Sequence, residues 1–178
     1  MTSKQRFTQY NNDHRHKKVI VLSGRVHPGE SNSSYCMQGV LDFLTSNASE
    51  AKMLRSYFIF KIIPMLNPDG VAVGNYRCSL IGTDLNRKWG LGPTNPNPIY
   101  HPTIYATKYL LKMNQIEHGV ALFTDFHGHS RKRNAFIYGC ISAPGDVNAA
   151  KVNSIIKTYP YLLSQSNKQI SYKDSKFA

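Results

Sequence analysis

The chain has 178 residues, 41% of them apolar, with eight Phe, 11 Tyr and one Trp, which is the length and side-chain stock of one globular domain. That excludes a disordered tail, a collagen-like or coiled-coil polymer and a small disulfide scaffold. Lys and Arg number 22 against 10 Asp and Glu, so the net charge of +12 favours an acidic partner without choosing among nucleic acid, anionic membrane and acidic peptide. Apolar runs stop far short of the roughly 20 residues of a membrane-spanning helix, so no membrane segment is predicted. The polar start Met1-Thr2-Ser3-Lys4-Gln5-Arg6 is not a secretory signal, and a cytoplasmic location is expected. Cys36, Cys78 and Cys140 are odd in number and irregular in spacing, which predicts reduced thiols.

In chain order, residues 1–16 read as a flexible basic leader, and 17–178 as one unit without repeat or linker. Val19-Ile20-Val21-Leu22, ended by Gly24, predicts a strand buried on both faces. Met37, Val40, Leu41 and Leu44 at helical spacing predict a helix over Ser31–Ser46. Tyr57–Ile63 reads as a second strand, stopped by Pro64. From Asn67 to about Pro102 the chain is rich in Gly, Pro and Asn, a length that marks a functional loop. A helix over Thr103–Ile116, a strand over Val120–Phe126, a fourth strand at Ala135–Tyr138 and a helix over Val147–Thr158 complete the reading. Alternating strands and helices predict an α/β fold with right-handed crossovers and helices on both faces of the sheet.

The first strand runs into Arg25-Val26-His27-Pro28-Gly29-Glu30 and the third into Asp125-Phe126-His127-Gly128-His129. If the second strand pairs on one side of the first and the third on the other, both histidine clusters meet at a topological switch point, where open α/β sheets bind ligands. His-x-x-Glu alone is weak; with a further His at a second strand end, two His and one carboxylate leave Zn²⁺ an open position for water. His127 directly ends the apolar run, while His129 competes for the role because residues i and i+2 of an extended segment share a face. In the long loop, Asn67-Pro68-Asp69-Gly70 is a turn that needs no function to explain it. Arg77 and Arg87 there have the forked geometry that suits carboxylates and developing negative charge.

His27-Pro28-Gly29-Glu30, Asn67-Pro68-Asp69-Gly70, Gly74-Asn75-Tyr76-Arg77-Cys78-Ser79-Leu80, Asp84-Leu85-Asn86-Arg87 and Asp125-Phe126-His127-Gly128-His129-Ser130 together resemble the zinc metallocarboxypeptidases. Within them they resemble the cytosolic branch that trims glutamates from tubulin tails. The resemblance implies a three-layer α/β/α fold with a mixed, mainly parallel sheet, incomplete at its C-terminal side, and makes 17–178 a partial catalytic domain. It also implies one Zn²⁺ per chain held by His27, Glu30 and His127, with Arg77 stabilising the oxyanion and Asn86 with Arg87 gripping the substrate's terminal carboxylate. The expected partners are acidic C-terminal tails, tubulin or microtubules among them, and neither nucleic acid nor membrane. Arg131-Lys132-Arg133 also resembles the branch.

The chain departs from the family in its glutamates. Glu30 is spent on zinc, while Glu50 and Glu117 stand at no strand's carboxyl end. The family's general base is a glutamate on a strand well downstream of the second zinc histidine, with a substrate-binding tyrosine, and this chain stops at Ala178 before that region. The resemblance therefore implies a fragment truncated at both ends, since the family's β-rich amino-terminal domain is missing too. Three readings follow: the zinc-binding core of a carboxypeptidase, an inactive fragment that binds zinc or keeps the arginines and holds acidic peptides, and a basic α/β domain binding nucleic acid, which charge alone supports and no RNP-type aromatic strand or reading helix backs.

Overall fold

The structure, a computed structural model, describes residues 16–178 apart from 91, 93, 94, 143 and 144. The leader expected over 1–16 lies outside the described residues, His16 excepted. The described residues fall into two compact units, one running through Gly128 and one from His129 to Ala178.

In the first unit, the β-branched run forms strand β1, Lys18–Gly24. Val19 and Val21 are fully buried and Leu22 nearly so, on opposite faces of the strand, as a central strand requires. Helix α1, Ser31–Thr45, buries Met37 and Leu44, seven residues and two turns apart on one face. Helix α2, Ser49–Tyr57, is a helix the periodicity does not reveal, because Ala51 alone is buried and the apolar stripe is thin. It leads straight into β2, Phe58–Ile63.

Helix α3, Pro68–Ala72, and a single 3₁₀ turn, Leu85–Arg87, interrupt the long loop before helix α4, Pro102–Glu117, and strand β3, Val120–Phe126. The central sheet has the order β2-β1-β3 with both pairings parallel. An antiparallel member, expected of a mixed sheet, does not occur among the described residues. From β1 the chain steps one way to β2 through α1 and α2, then back across β1 to β3 through α4. The right-handed crossover rule for parallel strands puts α1 and α2 on one face and α4 on the other, the three-layer arrangement.

The long loop is pinned. Asn67 and Asp84 cap its two short helical turns, accepting from the N–H groups of Gly70 and Asn86. Leu85 enters a buried cluster with Val26, Leu66 and Ile104, against which Ile63 and Trp89 pack. Each such side chain contributes about 1.5–3 kcal/mol when fully buried, enough to hold the loop on the sheet's carboxyl edge.

In the second unit, β4, Tyr138–Gly139, pairs in parallel with β5, Lys176–Phe177. Of the fourth strand expected at Ala135–Tyr138 only Tyr138 is in a strand, in this small sheet rather than the central one. Asn134, at φ 64°, turns the chain just before Ala135, which makes a lone bridge to Ile170. Helix α5, Ala149–Ser166, starts two residues later than expected and runs eight past Thr158, through the buried Pro160. It carries on past the one backbone hydrogen bond that proline cannot donate.

Candidate metal centre

Strands β1 and β3 end level, with Gly24 opposite Phe126 in the register. His27 lies three residues past the end of one and His127 one residue past the other, and their ring centroids are 5.2 Å apart. Glu30 occupies the N-cap position of α1, its carboxylate turned to the two imidazoles and making no cap bond to the helix. Its Oε1 lies 2.8 Å from Nδ1 of His27 and its Oε2 3.2 Å from Nδ1 of His127, while the Gly128 N–H donates to Oε2 at 2.7 Å. One donor atom from each of His27, Glu30 and His127 falls within 4.8 Å of the others, so the three could hold a metal ion.

Two glycines let the segments approach this closely. The Gly29 N–H donates to the Tyr76 carbonyl at 2.7 Å, and a Cβ on Gly29 would run into the Tyr76 ring. On Gly128 a Cβ would lie 2.7 Å from Asn32 Oδ1. Asn67, buried, ties the loop below: its amide donates to the Val26 carbonyl at 3.2 Å and its own N–H to the Arg25 carbonyl at 3.1 Å. The turn that needs no function by sequence therefore braces the His27 segment.

Each imidazole is held from behind by a second carboxylate. Nε2 of His27 lies 3.0 Å from Asp84 Oδ1, and Nε2 of His127 lies 2.7 Å from Asp125 Oδ2. Asp84 is itself fixed by the Asn86 N–H at 2.9 Å and by Arg77, whose Nε and Nη2 reach Oδ2 at 2.9 and 2.7 Å. Asp125 accepts from Ser23 Oγ at 2.7 Å, its partner in the β1–β3 register. With a carboxylate on each Nε2, the proton that Nδ1 shares with Glu30 is the one a metal would displace, leaving Nδ1 as its donor atom.

The electrostatics follow from this network. Burial alone would push Glu30 up, but the hydrogen bonds from His127, His27 and the Gly128 N–H outweigh it and hold its carboxyl well below the usual range. Burial would lower His127, but Asp125 and Glu30 raise it to about 9. Burial alone would also push Asp84 up, but the hydrogen bonds of His27, the Asn86 N–H and Arg77 outweigh it and hold its carboxyl below the ordinary aspartate value. Three carboxylates around two oriented imidazoles make a donor set that suits a divalent cation.

The residues singled out by sequence separate into groups. His27, Glu30 and His127 come together, and Arg77 joins them through Asp84. Asn86 reaches the same carboxylate with its backbone N–H, while its side-chain Oδ1 accepts from Trp89 Nε1 at 2.9 Å. Arg87 is exposed, and among the described residues its side chain makes one long bond, from Nη1 to the Asn86 carbonyl at 3.5 Å. His129 is absent from the cluster; in the second unit its Nδ1 accepts from the N–H groups of Arg131 and Lys132, and its ring packs edge-on to Phe136. Sequence reasoning assigns no role to Asp84 or Asp125. Asp125 precedes His127 by two positions on an extended strand, so the same-face rule could have found it. Asp84, 57 residues from His27, carries no such signal.

The family model described as zinc carboxypeptidase matches residues 3–178. Cytosolic carboxypeptidase 2 of Mus musculus is 57% identical over 126 residues, covering 71% of this chain and 14% of that protein. Cytosolic carboxypeptidase 1 of Danio rerio is 47% identical over 172 residues, covering 92% and 15%. The chain thus spans about one seventh of the length of these curated relatives. Among solved structures, a metallo-carboxypeptidase from Burkholderia cenocepacia superposes with a TM-score of 0.73 at 23% identity over 91% of this chain and 41% of that one, a likeness of fold. With the family model spanning almost every residue and relatives near half identical, the chain belongs to the zinc carboxypeptidase family, in its cytosolic branch.

Proposed function

We propose that residues 17–178 act as the zinc-binding part of a metallocarboxypeptidase catalytic domain that removes C-terminal residues, glutamate above all, from acidic protein tails such as those of tubulin, in the cytoplasm. One observation carries the reading: two imidazoles present Nδ1 to a single carboxylate while Asp84 and Asp125 occupy both Nε2 atoms. The net charge of +12 favours an acidic substrate, and the relatives are named cytosolic carboxypeptidases. Among the described residues no helix is long and apolar enough to cross a membrane.

In this reading His27, Glu30 and His127 hold one Zn²⁺ per chain. When bound, the ion supplies a Lewis acid for the scissile carbonyl and lowers the pKa of a coordinated water. Asp84 and Asp125 keep the two rings oriented, and Gly128 donates to the oxygen of Glu30 nearest His127. Arg77 spends Nε and Nη2 on Asp84, which fixes its guanidinium plane and leaves Nη1 to meet the oxygen where negative charge develops. Arg87, with its fork turned to solvent, receives the terminal carboxylate beside the Asn86 amide.

A second reading, an inactive fragment that binds zinc and acidic peptides, is favoured by the placement of the remaining glutamates. Glu117 ends α4, and the seven residues of β3 then separate it from His127 by roughly 20 Å at about 3.3 Å per residue. Glu50 is exposed on α2 with its carboxylate on Ser49. The deciding experiment incubates the zinc-loaded chain with a peptide ending in several glutamates, alongside its C-terminally amidated form. Mass spectrometry of released glutamate reports cleavage and calorimetry reports binding. Release from the free acid alone supports the enzyme; binding of the free acid without release supports the inactive fragment; neither binding nor release rejects both.

A further inference from the structure

We propose that Arg25 is a positioning residue for the metal centre, a clamp that sets the shape of the segment carrying His27 and Glu30. The inference rests on the assignment of those two residues as zinc ligands.

Arg25 is the first residue after β1 and sits at φ 54°, in the left-handed region where glycine is the default and a Cβ is strained. Its side chain closes over the following turn. Nε and Nη2 both donate to the Pro28 carbonyl, at 3.0 and 2.8 Å, and Nη1 donates to Ser34 Oγ at 2.8 Å. The fork therefore ties the middle of the turn to the first turn of α1, with His27 on one side of Pro28 and Glu30 on the other. The backbone of Arg25 is held as well: its N–H donates to Ser33 Oγ at 3.1 Å and its carbonyl accepts from Asn67 N–H at 3.1 Å.

Two N–H groups converging on one carbonyl while a third reaches sideways is a geometry that a guanidinium offers and an ammonium does not. Glycine at this position would relieve the backbone and lose all three bonds. A strained residue kept where glycine is easiest points to the side chain as the part the site uses. Without the clamp, the turn closed by the Glu30 N–H on the His27 carbonyl at 3.2 Å loses its outer support. His27 Nδ1 and the Glu30 carboxylate then drift from the spacing that lets them act on one ion.

The test uses the purified 178-residue chain and the variants Arg25→Gly, Arg25→Lys and Ser34→Ala. Zinc affinity, read by competition with a chromogenic chelator, should fall about 10–100-fold in the two Arg25 variants, the range for residues that orient metal ligands, and less in Ser34→Ala. Amide exchange is read in parallel on the metal-free protein. The Gly29 and Glu30 amides should exchange about tenfold faster or more, with Val21 in β1 unchanged, which separates a loosened turn from a failed fold. Should Arg25→Gly not fold, Arg25→Lys carries the comparison. Zinc affinity within about threefold of wild type, or unchanged exchange at Gly29, overturns the clamp. If the wild-type chain binds no zinc, the metal assignment fails while the exchange data still decide what Arg25 does.

Discussion

Asp84 holds His27 by its far nitrogen, with Oδ1 3.0 Å from Nε2, although the two residues are 57 positions apart. The carboxylate sets the tautomer and orientation of a candidate ligand it does not itself accompany on the metal. Asp84→Asn keeps the shape and removes the charge, and should weaken zinc binding about 10–100-fold. Asp125→Asn should do the same through His127. Chelator competition on both variants is the measurement; full affinity in both would remove these carboxylates from the account.

Zinc content should follow the ligands. His27→Ala and His127→Ala should each reduce bound metal from one ion per chain to background, while His129→Ala, whose ring is engaged by Arg131, Lys132 and Phe136, should leave it unchanged. Elemental analysis of the purified variants decides it. Retention of zinc in both of the first two would end the assignment, and loss in the third alone would move the ligand.

Arg87 should recognise a free carboxyl terminus. Among the described residues its fork makes no bond stronger than the 3.5 Å one to the Asn86 carbonyl. Arg87→Lys should weaken binding of free-acid peptides by roughly 1.5–3 kcal/mol, the range for a charged hydrogen bond, and barely change that of amidated ones. Equal loss for the two peptide forms by calorimetry would contradict the role.

Leu85 anchors the loop that carries Asp84 and Asn86. It is 4% exposed and packs with Val26, Leu66 and Ile104. Leu85→Ala should cost about 2–5 kcal/mol of stability in urea unfolding, and should also weaken zinc binding because its neighbour Asp84 loses its anchor. A stability loss below about 1 kcal/mol would mean that the site collapses around the cavity more completely than cores ordinarily do.

His101 predicts a pH effect away from the metal centre. It is buried at the start of α4, and its Nδ1 accepts from the Asn97 N–H at 3.0 Å, which requires the neutral ring. Burial, with the charge of Lys88, lowers its pKa below the ordinary histidine value. The unfolded chain thus takes up the proton at a higher pH than the folded one, and stability is lost as pH falls below about 6.5 toward the folded pKa. His101→Gln should flatten that part of the stability curve relative to wild type. Parallel curves for the two proteins in urea unfolding between pH 5 and 7 would exclude the effect.

Short apolar runs bounded by Gly and Pro determine β1, β2 and β3 from sequence alone, because their pattern is local and continuous. The same locality places His27 and His127 just past strand ends, and the order of five motifs identifies the family. Helix α2 and β5 escape that reading, and β4 is met only at Tyr138 of the strand expected over Ala135–Tyr138, since none of them carries a periodic apolar stripe long enough to register. The β2-β1-β3 order, which the residues allow but do not require, is decided by the tertiary structure, and with it the level ends of β1 and β3 that bring Glu30 to His127 across 97 positions. Asp84 on His27, Arg77 on Asp84 and Asn67 under Val26 belong to the same class. These contacts join loops that are remote in sequence, and their partners are selected by packing of Leu85, Leu66 and Ile104 against Val26, a three-dimensional fit for which no spacing along the chain is a signature.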